Sequence, residues 1–314
     1  MIIAVDHGNS AIKTENFVFP SALSQHTVAP PMAKELLEYG GHYWSLSGDR
    51  IPYNRNKTTD EQFFILTLFA IAKELKQSNQ LLPMNMVDLA IGLPPEHWAA
   101  QREVFARYFK RPDMTQCVYN NNPLSIGISH VFVYPQAYAA VIGNGKEVKQ
   151  YPRVYIVDLG GYTVDVLELR NGVPNDKVWR SLEMGIITMC NNIAAMVNTK
   201  HDMQIHEDHI MAVLNGQETG LGDEIVSLIK SEVKAHASLI LDKLRELQID
   251  MRANPVYFVG GGAILLEPFI RENPKVLKPQ FVLDVNANAK GFRKLAEAQL
   301  RRAAGSGGQA YENQ

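Results

Sequence analysis

The chain opens on a short apolar run, Ile2 to Val5, that ends in Asp6-His7-Gly8-Asn9-Ser10 and resumes in strand-like residues through Phe17-Val18-Phe19. Apolar runs separated by turn residues predict an opening β-hairpin. From Met32 to Thr59 the pattern is polar with scattered glycines and aromatics, Gly40, Gly41, Tyr43, Trp44, Gly48 and Tyr53, and reads as a small insert. Thr59-Asp60-Glu61-Gln62 has capping-box spacing, and Phe63, Leu66, Phe69, Ala70 and Leu75 line one face of a helix reaching about Lys76. Val87 to Leu93 is an apolar strand closed by Pro94-Pro95, with Pro95 placed to start a helix to about Lys110. A short helix is expected at Pro135-Gln136-Ala137-Tyr138-Ala139-Ala140, with Gly143 beyond its end. The opening pattern then returns. Arg153 to Val157 is an apolar run ending in Asp158-Leu159-Gly160-Gly161-Tyr162-Thr163, a second strand runs Val164 to Leu169, and Asn171-Gly172 turns it into a third. Helices follow near Ile186 to Val197, His206 to Leu214 and Asp223 to Leu247, then a strand, Val256 to Val259, closed by Gly260-Gly261-Gly262 and a helix through Leu266. An amphipathic helix from about Ala289 to Arg302 precedes Gly305-Ser306-Gly307-Gly308, which reads as a flexible tail.

A strand ending in aspartate, a glycine turn and a returning strand thus occur twice, about 150 residues apart, which suggests two related halves rather than a solenoid. The 314 residues, 46% hydrophobic and 20% charged, have globular proportions and room for two domains. A formal charge of -2 leaves no global positive field for a phosphate backbone, so direct nucleic-acid binding is not expected. Cys117 and Cys190 are too few for a disulfide framework or a cysteine-rich metal site, and suit a reducing compartment. Asp6 interrupts the N-terminal apolar run, and no stretch reaches membrane-spanning length uncharged. The expectation is a cytoplasmic protein without a membrane contact.

The twin aspartates beside glycine turns are the first candidate chemistry. Backbone N–H groups in such turns can cradle a polyphosphate. The carboxylates of Asp6 and Asp158 would hold the waters of a Mg²⁺ bridging the phosphates, because Mg²⁺ sheds water reluctantly. Lys13 and Ser10 can neutralise and orient the same phosphates. Gly260 to Gly262, between a buried strand and a helix, offer close backbone approach to a ligand such as a nucleoside. Other features carry less. His201, His206 and His209 with Glu207 and Asp208 suit a solvated helix face better than a metal site. Met184, Met189, Met196, Met203 and Met211 read as core filler, and Lys234, Lys243 and Arg245 as an ordinary exposed face.

In order along the chain, Asp6-x-Gly8-Asn9-x-x-x-Lys13, Pro135-Gln136 with Ala139-Ala140, Asp158-Leu159-Gly160-Gly161-Tyr162-Thr163-x-Asp165, and Val259-Gly260-Gly261-Gly262 resemble the actin-like ATPase superfamily. They match its first phosphate loop, first connecting helix, second phosphate loop and adenosine loop. Gly92-Leu93-Pro94 and Asn286-Ala287-x-x-x-Gly291-Phe292 look more particularly like the plasmid-segregation actins of the ParM/StbA type. The resemblance spans the chain to about Leu295 and implies an α/β, actin-like ATPase fold of two RNase H-like domains around a nucleotide cleft. Domain I would comprise residues 1–148, with a small subdomain inserted at about 32–84 and the helix at about 289–302 returning to it. Domain II would comprise 149–287, and 305–314 the tail.

In that resemblance Asp6 and Asp158 organise Mg²⁺ through water, Gly8, Asn9, Ser10 and Lys13 with Gly160, Gly161, Tyr162 and Thr163 hold the phosphates of ATP or GTP, and Gly260, Gly261 and Gly262 lie against the nucleoside. Gln136 falls where the family positions the attacking water, and Tyr162 stands where the family has a small residue. Three classes share such a site. A seventy-kilodalton chaperone would need a further peptide-binding domain where only Gly305 to Gln314 remain. A small-molecule kinase would need an acceptor-side base, and Ser125 to Tyr134 contains no aspartate, although Asp113 lies upstream. It stays open as the alternative. A cell-shape actin would present an amphipathic membrane segment at one end. The leading expectation is a filament that polymerises with ATP or GTP, hydrolyses it, and moves plasmid DNA through a DNA-binding adaptor.

Overall fold

A computed structural model describes residues 1–47, 50–52, 54 and 56–308, and the side chains of all of these except Asp176 and 305–308. Gly48, Tyr53 and 309–314 of the expected insert and tail lie outside the described residues. The elements run β1 (Ile2–His7), β2 (Ala11–Lys13), β3 (Val18–Pro20), β4 (Leu23–His26), β5 (Leu36–Tyr39), β6 (His42–Leu46), α1 (Gln62–Gln77), β7 (Met84–Leu93), α2 (Pro95–Phe109), β8 (Thr115–Tyr119) and β9 (Asn122–Pro135). A 3₁₀ helix (Ala139–Asn144) and α3 (Gly145–Val148) lead to β10 (Arg153–Leu159), β11 (Val164–Arg170), β12 (Val173–Leu182), α4 (Ile186–His201), α5 (Glu207–Leu214), α6 (Asp223–Glu246), β13 (Val256–Val259), α7 (Gly261–Arg271), β14 (Pro279–Phe281) and α8 (Ala287–Gly308). They divide into two compact units, residues 1–143 with 286–314, and residues 144–285.

In the first unit the sheet order is β3-β2-β1-β7-β9-β8-β5-β6-β4. β1 alternates between two cores. Ile3 and Val5 pack with α1 and α2, while Ile2 and Ala4 pack with Phe292 and Ala296 of α8. β1 is therefore buried on both faces, which is why it reads as an unbroken apolar run. α1 departs from the expected one-sided helix. Every residue from Phe63 to Ala72 is buried, as befits a helix enclosed on all sides. A fully buried Phe or Leu side chain stabilises by about 1.5–3 kcal/mol. Glu74 is buried among them, and its carboxylate accepts from Asn16 N (3.0 Å) and Asn16 Nδ2 (2.7 Å).

The expected capping box at Thr59 does not form. The N-cap is Glu61 without a side-chain cap, and Asp60 Oδ1 takes the Gln62 N–H at 2.9 Å. The polar insert carries the β5–β6 hairpin, turned by Gly40 and Gly41 at positive φ, and β5 joins β8 so that the same sheet continues through it.

The second unit has the order β12-β11-β10-β13-β14, and Tyr155, Val157 and Leu159 of β10 share one hydrophobic core with residues of α4 to α7. The intervening Val154 and Ile156 are also buried. Asn171 and Gly172, both at positive φ, make the expected β11–β12 turn. The five methionines singled out above all belong to this core. His206 and His209 close a capping box at the start of α5, with His206 N donating to His209 Nδ1 at 3.3 Å.

Candidate functional site

The first loop begins where β1 ends. Asp6, 3% exposed, pairs in register with Lys13 across the β1–β2 hairpin, and Lys13 Nζ stands 3.9 Å from Asp6 Oδ2. The other carboxylate oxygen, Oδ1, accepts from Gln136 Nε2 at 2.5 Å. A buried carboxylate is costly unless it is hydrogen-bonded and paired, and Gln136 with Lys13 supplies both partners. Gln136 is buried as well, so its amide is committed to this site rather than to solvent. In the loop itself, Gly8 N–H turns back to Asp6 O (3.1 Å), and Ser21 Oγ donates to Gly8 O at 2.5 Å. Asn9 Oδ1 is enclosed and accepts no hydrogen bond from the described residues.

Gln136 is not on a helix. β9 runs through Pro135, Gln136 N–H donates to Leu93 O at 2.8 Å, and Ala137 adopts φ +62° before the 3₁₀ helix begins at Ala139. The expected helix is corrected to a strand end and a tight turn. Pro135 reads as a helix start in sequence, but here it closes a strand whose preceding residues are paired to β7.

Behind the loop, sequence reasoning missed a buried group. His7 Nε2 lies 2.7 Å from Thr67 Oγ1, whose hydroxyl donates to Phe63 O at 2.7 Å. The one hydroxyl proton is thus used, and Nε2 carries the imidazole proton. The ring stacks on Phe109 at 5.0 Å, and Lys57 Nζ donates to the His7 carbonyl. Burial first, then the Lys57 charge, hold His7 well below its ordinary pKa, so the ring is neutral. A histidine inside a turn signal gives no hint that its ring points into an aromatic core.

In the second unit, Asp158, 8% exposed, is the penultimate residue of β10 and stands opposite Asp165 of β11. The carbonyls of Gly160, Gly161 and Tyr162 accept from the N–H groups of Ile186 (3.1 Å), Ile187 (2.7 Å) and Gly185 (3.0 Å). The loop therefore caps α4 with three successive carbonyls. In a trans peptide the C=O and the following N–H point opposite ways, so the N–H groups of Gly161, Tyr162 and Thr163 are directed away from α4. The loop turns its electronegative edge inward and its donors outward, the polarity an anion requires. Gly185 makes this close contact possible, because a Cβ there would overlap the backbone of Gly161 and Tyr162. Nothing in the local sequence marks it.

The third glycine loop joins the second. Gly260 sits at φ +87°, and a Cβ would overlap Asp158 Oδ1. A Cβ on Gly262 would lie 2.7 Å from Leu159 O, whereas Gly261 faces open space. Gly260→Ala is expected to destabilise the second unit by about 1–3 kcal/mol through left-handed strain, while Gly261→Ala stays near wild type. Urea midpoints of the two variants check this, and equal midpoints would contradict it. Within the units, then, the structure gathers Asp6, Gly8, Asn9, Ser10, Lys13 and Gln136 in one, and Asp158, Gly160 to Thr163 and Gly260 to Gly262 in the other.

The family model described as actin like proteins, N terminal domain, matches residues 4–138, and the one described as archaeal actin homologue MreB-like, C-terminal, matches residues 156–272. The chain is an actin-like protein. The matched spans contain every candidate residue named above. A crystal structure of an archaeal actin homologue has a TM-score of 0.76 at 20% identity, covering 95% of this chain and 99% of that one. Its complex with ADP gives 0.75 at 17% identity, with the same coverage. A 15-stranded ParM filament from Clostridium botulinum gives 0.72 at 17%, again covering 95% and 99%. At these identities the likeness establishes the actin-like α/β fold. The curated proteins contain no significant match to the sequence. No helix of the described residues is long and apolar enough to cross a membrane.

Proposed function

We propose that this actin-like protein binds ATP or GTP with Mg²⁺, polymerises in the nucleotide-bound state and hydrolyses the nucleotide, and that the filament moves plasmid DNA through a DNA-binding adaptor. The observation that carries nucleotide binding is the loop from Gly160 to Thr163, whose first three carbonyls are taken by Gly185 and the first two residues of α4 so that the N–H groups of Gly161, Tyr162 and Thr163 are directed the other way. The other phosphate contacts in this reading come from Gly8 to Ser10 and Lys13, and Gly260 to Gly262 lie against the nucleoside. Filament formation is supported by neighbours of the same fold that are themselves filaments, the ParM assembly above and AlfA bound to AMPPNP. A formal charge of -2 is consistent with contact to DNA through an adaptor.

Asp6 and Asp158 are the carboxylates that would hold hydrated Mg²⁺. Each is the penultimate residue of a buried strand beside a glycine loop, and the enclosed Asn9 Oδ1, without a partner among the described residues, suits a water ligand of such an ion. Turned about its Cβ–Cγ bond, the same carboxamide offers N–H to a phosphate oxygen. Bound Mg²⁺ would neutralise phosphate charge. Gln136 donates through Nε2 to Asp6, leaving Oε1 to accept from a water and orient it in line with the terminal phosphorus. The reaction needs placement more than a strong base, so an amide suffices.

Light scattering and electron microscopy after addition of Mg·ATP or Mg·GTP test the reading. Filaments should form above a critical concentration that falls with nucleotide and should decay as phosphate is released. A chain that stays monomeric with every nucleotide at tens of micromolar would overturn the filament reading in favour of a small-molecule kinase.

A further inference from the structure

The C-terminal motif Asn286-Ala287-Asn288-x-x-Gly291-Phe292 has no role in the site as described so far, yet it lies against the turn that carries Gln136. Asn288, in the first turn of α8 and 6% exposed, accepts the N–H of Ala137 through Oδ1 at 3.0 Å. Ala137 is wholly buried at φ +62°, a conformation that an alanine does not hold by itself because its Cβ crowds the backbone. Gly291, one turn further along α8, lets the helix approach so closely that a Cβ would overlap Ala139 O. The next residue, Phe292, stacks on Tyr134 at 6.3 Å and fills the space beside Gly92. Residues 288, 291 and 292 share one helix face, and together they brace both sides of the turn.

We infer that Asn288 is a positioning residue for Gln136. Its side-chain oxygen holds Ala137 in the left-handed turn, and that turn keeps the Gln136 amide on Asp6. The inference rests on the reading of Gln136 as the residue that orients water. Without the Asn288 oxygen, the buried Ala137 N–H loses its acceptor and the backbone gains by rotating out of the strained region. The Gln136 side chain is then no longer aimed.

The test uses the full chain with Mg·ATP or Mg·GTP, measuring nucleotide affinity and single-turnover phosphate release. Asn288→Ala should leave affinity within about twofold and slow release by about five- to fiftyfold per bound nucleotide. Asn288→Ser, whose shorter arm does not reach Ala137, should do the same and serves where the alanine variant does not fold. Adding Ala137→Gly to either should restore most of the lost rate, because glycine adopts the left-handed turn without strain. A merely structural Asn288 predicts a lower melting temperature and less bound nucleotide with unchanged release per bound nucleotide, and no rescue by glycine. That result would overturn the inference while leaving the nucleotide reading intact. A wild-type chain that binds no nucleotide, or binds it without turnover, removes Gln136's role and the inference with it.

Discussion

Replacing Asp6 by alanine is expected to weaken Mg²⁺-dependent nucleotide binding by about a hundredfold or more, ~3 kcal/mol, and to leave the fold intact. Asp6 is buried, stands 3.9 Å from Lys13 and accepts the Gln136 amide, so its removal deletes a charge and two partnerships at once. Asp6→Asn separates them. An asparagine oxygen still accepts from Gln136 Nε2, but the negative charge that would organise hydrated Mg²⁺ is gone. Affinity measured in Mg²⁺ and again in a chelator gives the discriminating comparison. Wild type should bind much more weakly in chelator, whereas both variants should bind weakly and equally in the two. Should Asp6→Asn retain the wild-type response to Mg²⁺, the carboxylate has no part in holding the cation and the proposed pairing of Asp6 with Asp158 fails.

The parts of this site that were legible in the sequence are those built from neighbouring residues. β1 and β10 are buried on both faces, so Ile2 to Val5 and Val154 to Val157 read as unbroken apolar runs, and the aspartate and glycines that end them stand out by contrast. Gly260 was legible for the same reason, closing the apolar β13. The long strand β9 was not. Its exposed and half-buried positions carry Asn122, Ser125, Ser129 and His130, which blur the two-residue period.

Contacts between distant residues were illegible in a different way. Pro135 followed by Gln136 and a run of alanines has the composition of a helix start. What decides the local backbone is Asn288, 151 residues away, together with the approach of α8 that Gly291 permits. Local propensity yields where a tertiary partner takes the N–H of Ala137. Gly185 was hidden likewise, since its constraint comes from the backbone of Gly161 and Tyr162, to which no spacing rule points. The motif near the C-terminus was visible as a pattern, but only the fold shows that it leans on the turn after Gln136.

Gln136→Ala is expected to separate binding from chemistry. If the amide orients the attacking water, nucleotide affinity should stay within about threefold, while phosphate release slows by about ten- to a thousandfold, a barrier increase of ~1.4 to 4 kcal/mol. Filaments should still assemble, because assembly requires only bound nucleotide, and they should outlast wild-type filaments in proportion to the slower release. The structure sharpens the competing explanation. Gln136 caps no α-helix, since it lies in the turn just after β9, so the rival role is to satisfy the buried Asp6 carboxylate. That role predicts lower thermal stability and weaker nucleotide binding with release per bound nucleotide unchanged. Gln136→Glu adds a second axis, because a carboxylate can still accept from water but offers Asp6 no N–H and places a like charge beside it. Under the catalytic reading the glutamate variant should retain more turnover than the alanine variant at equal occupancy. Under the rival reading it should be the less stable of the two and no faster. Phosphate release and scattering decay recorded on the same samples decide the matter, for wild-type values of both in Gln136→Ala would remove Gln136 from the reaction.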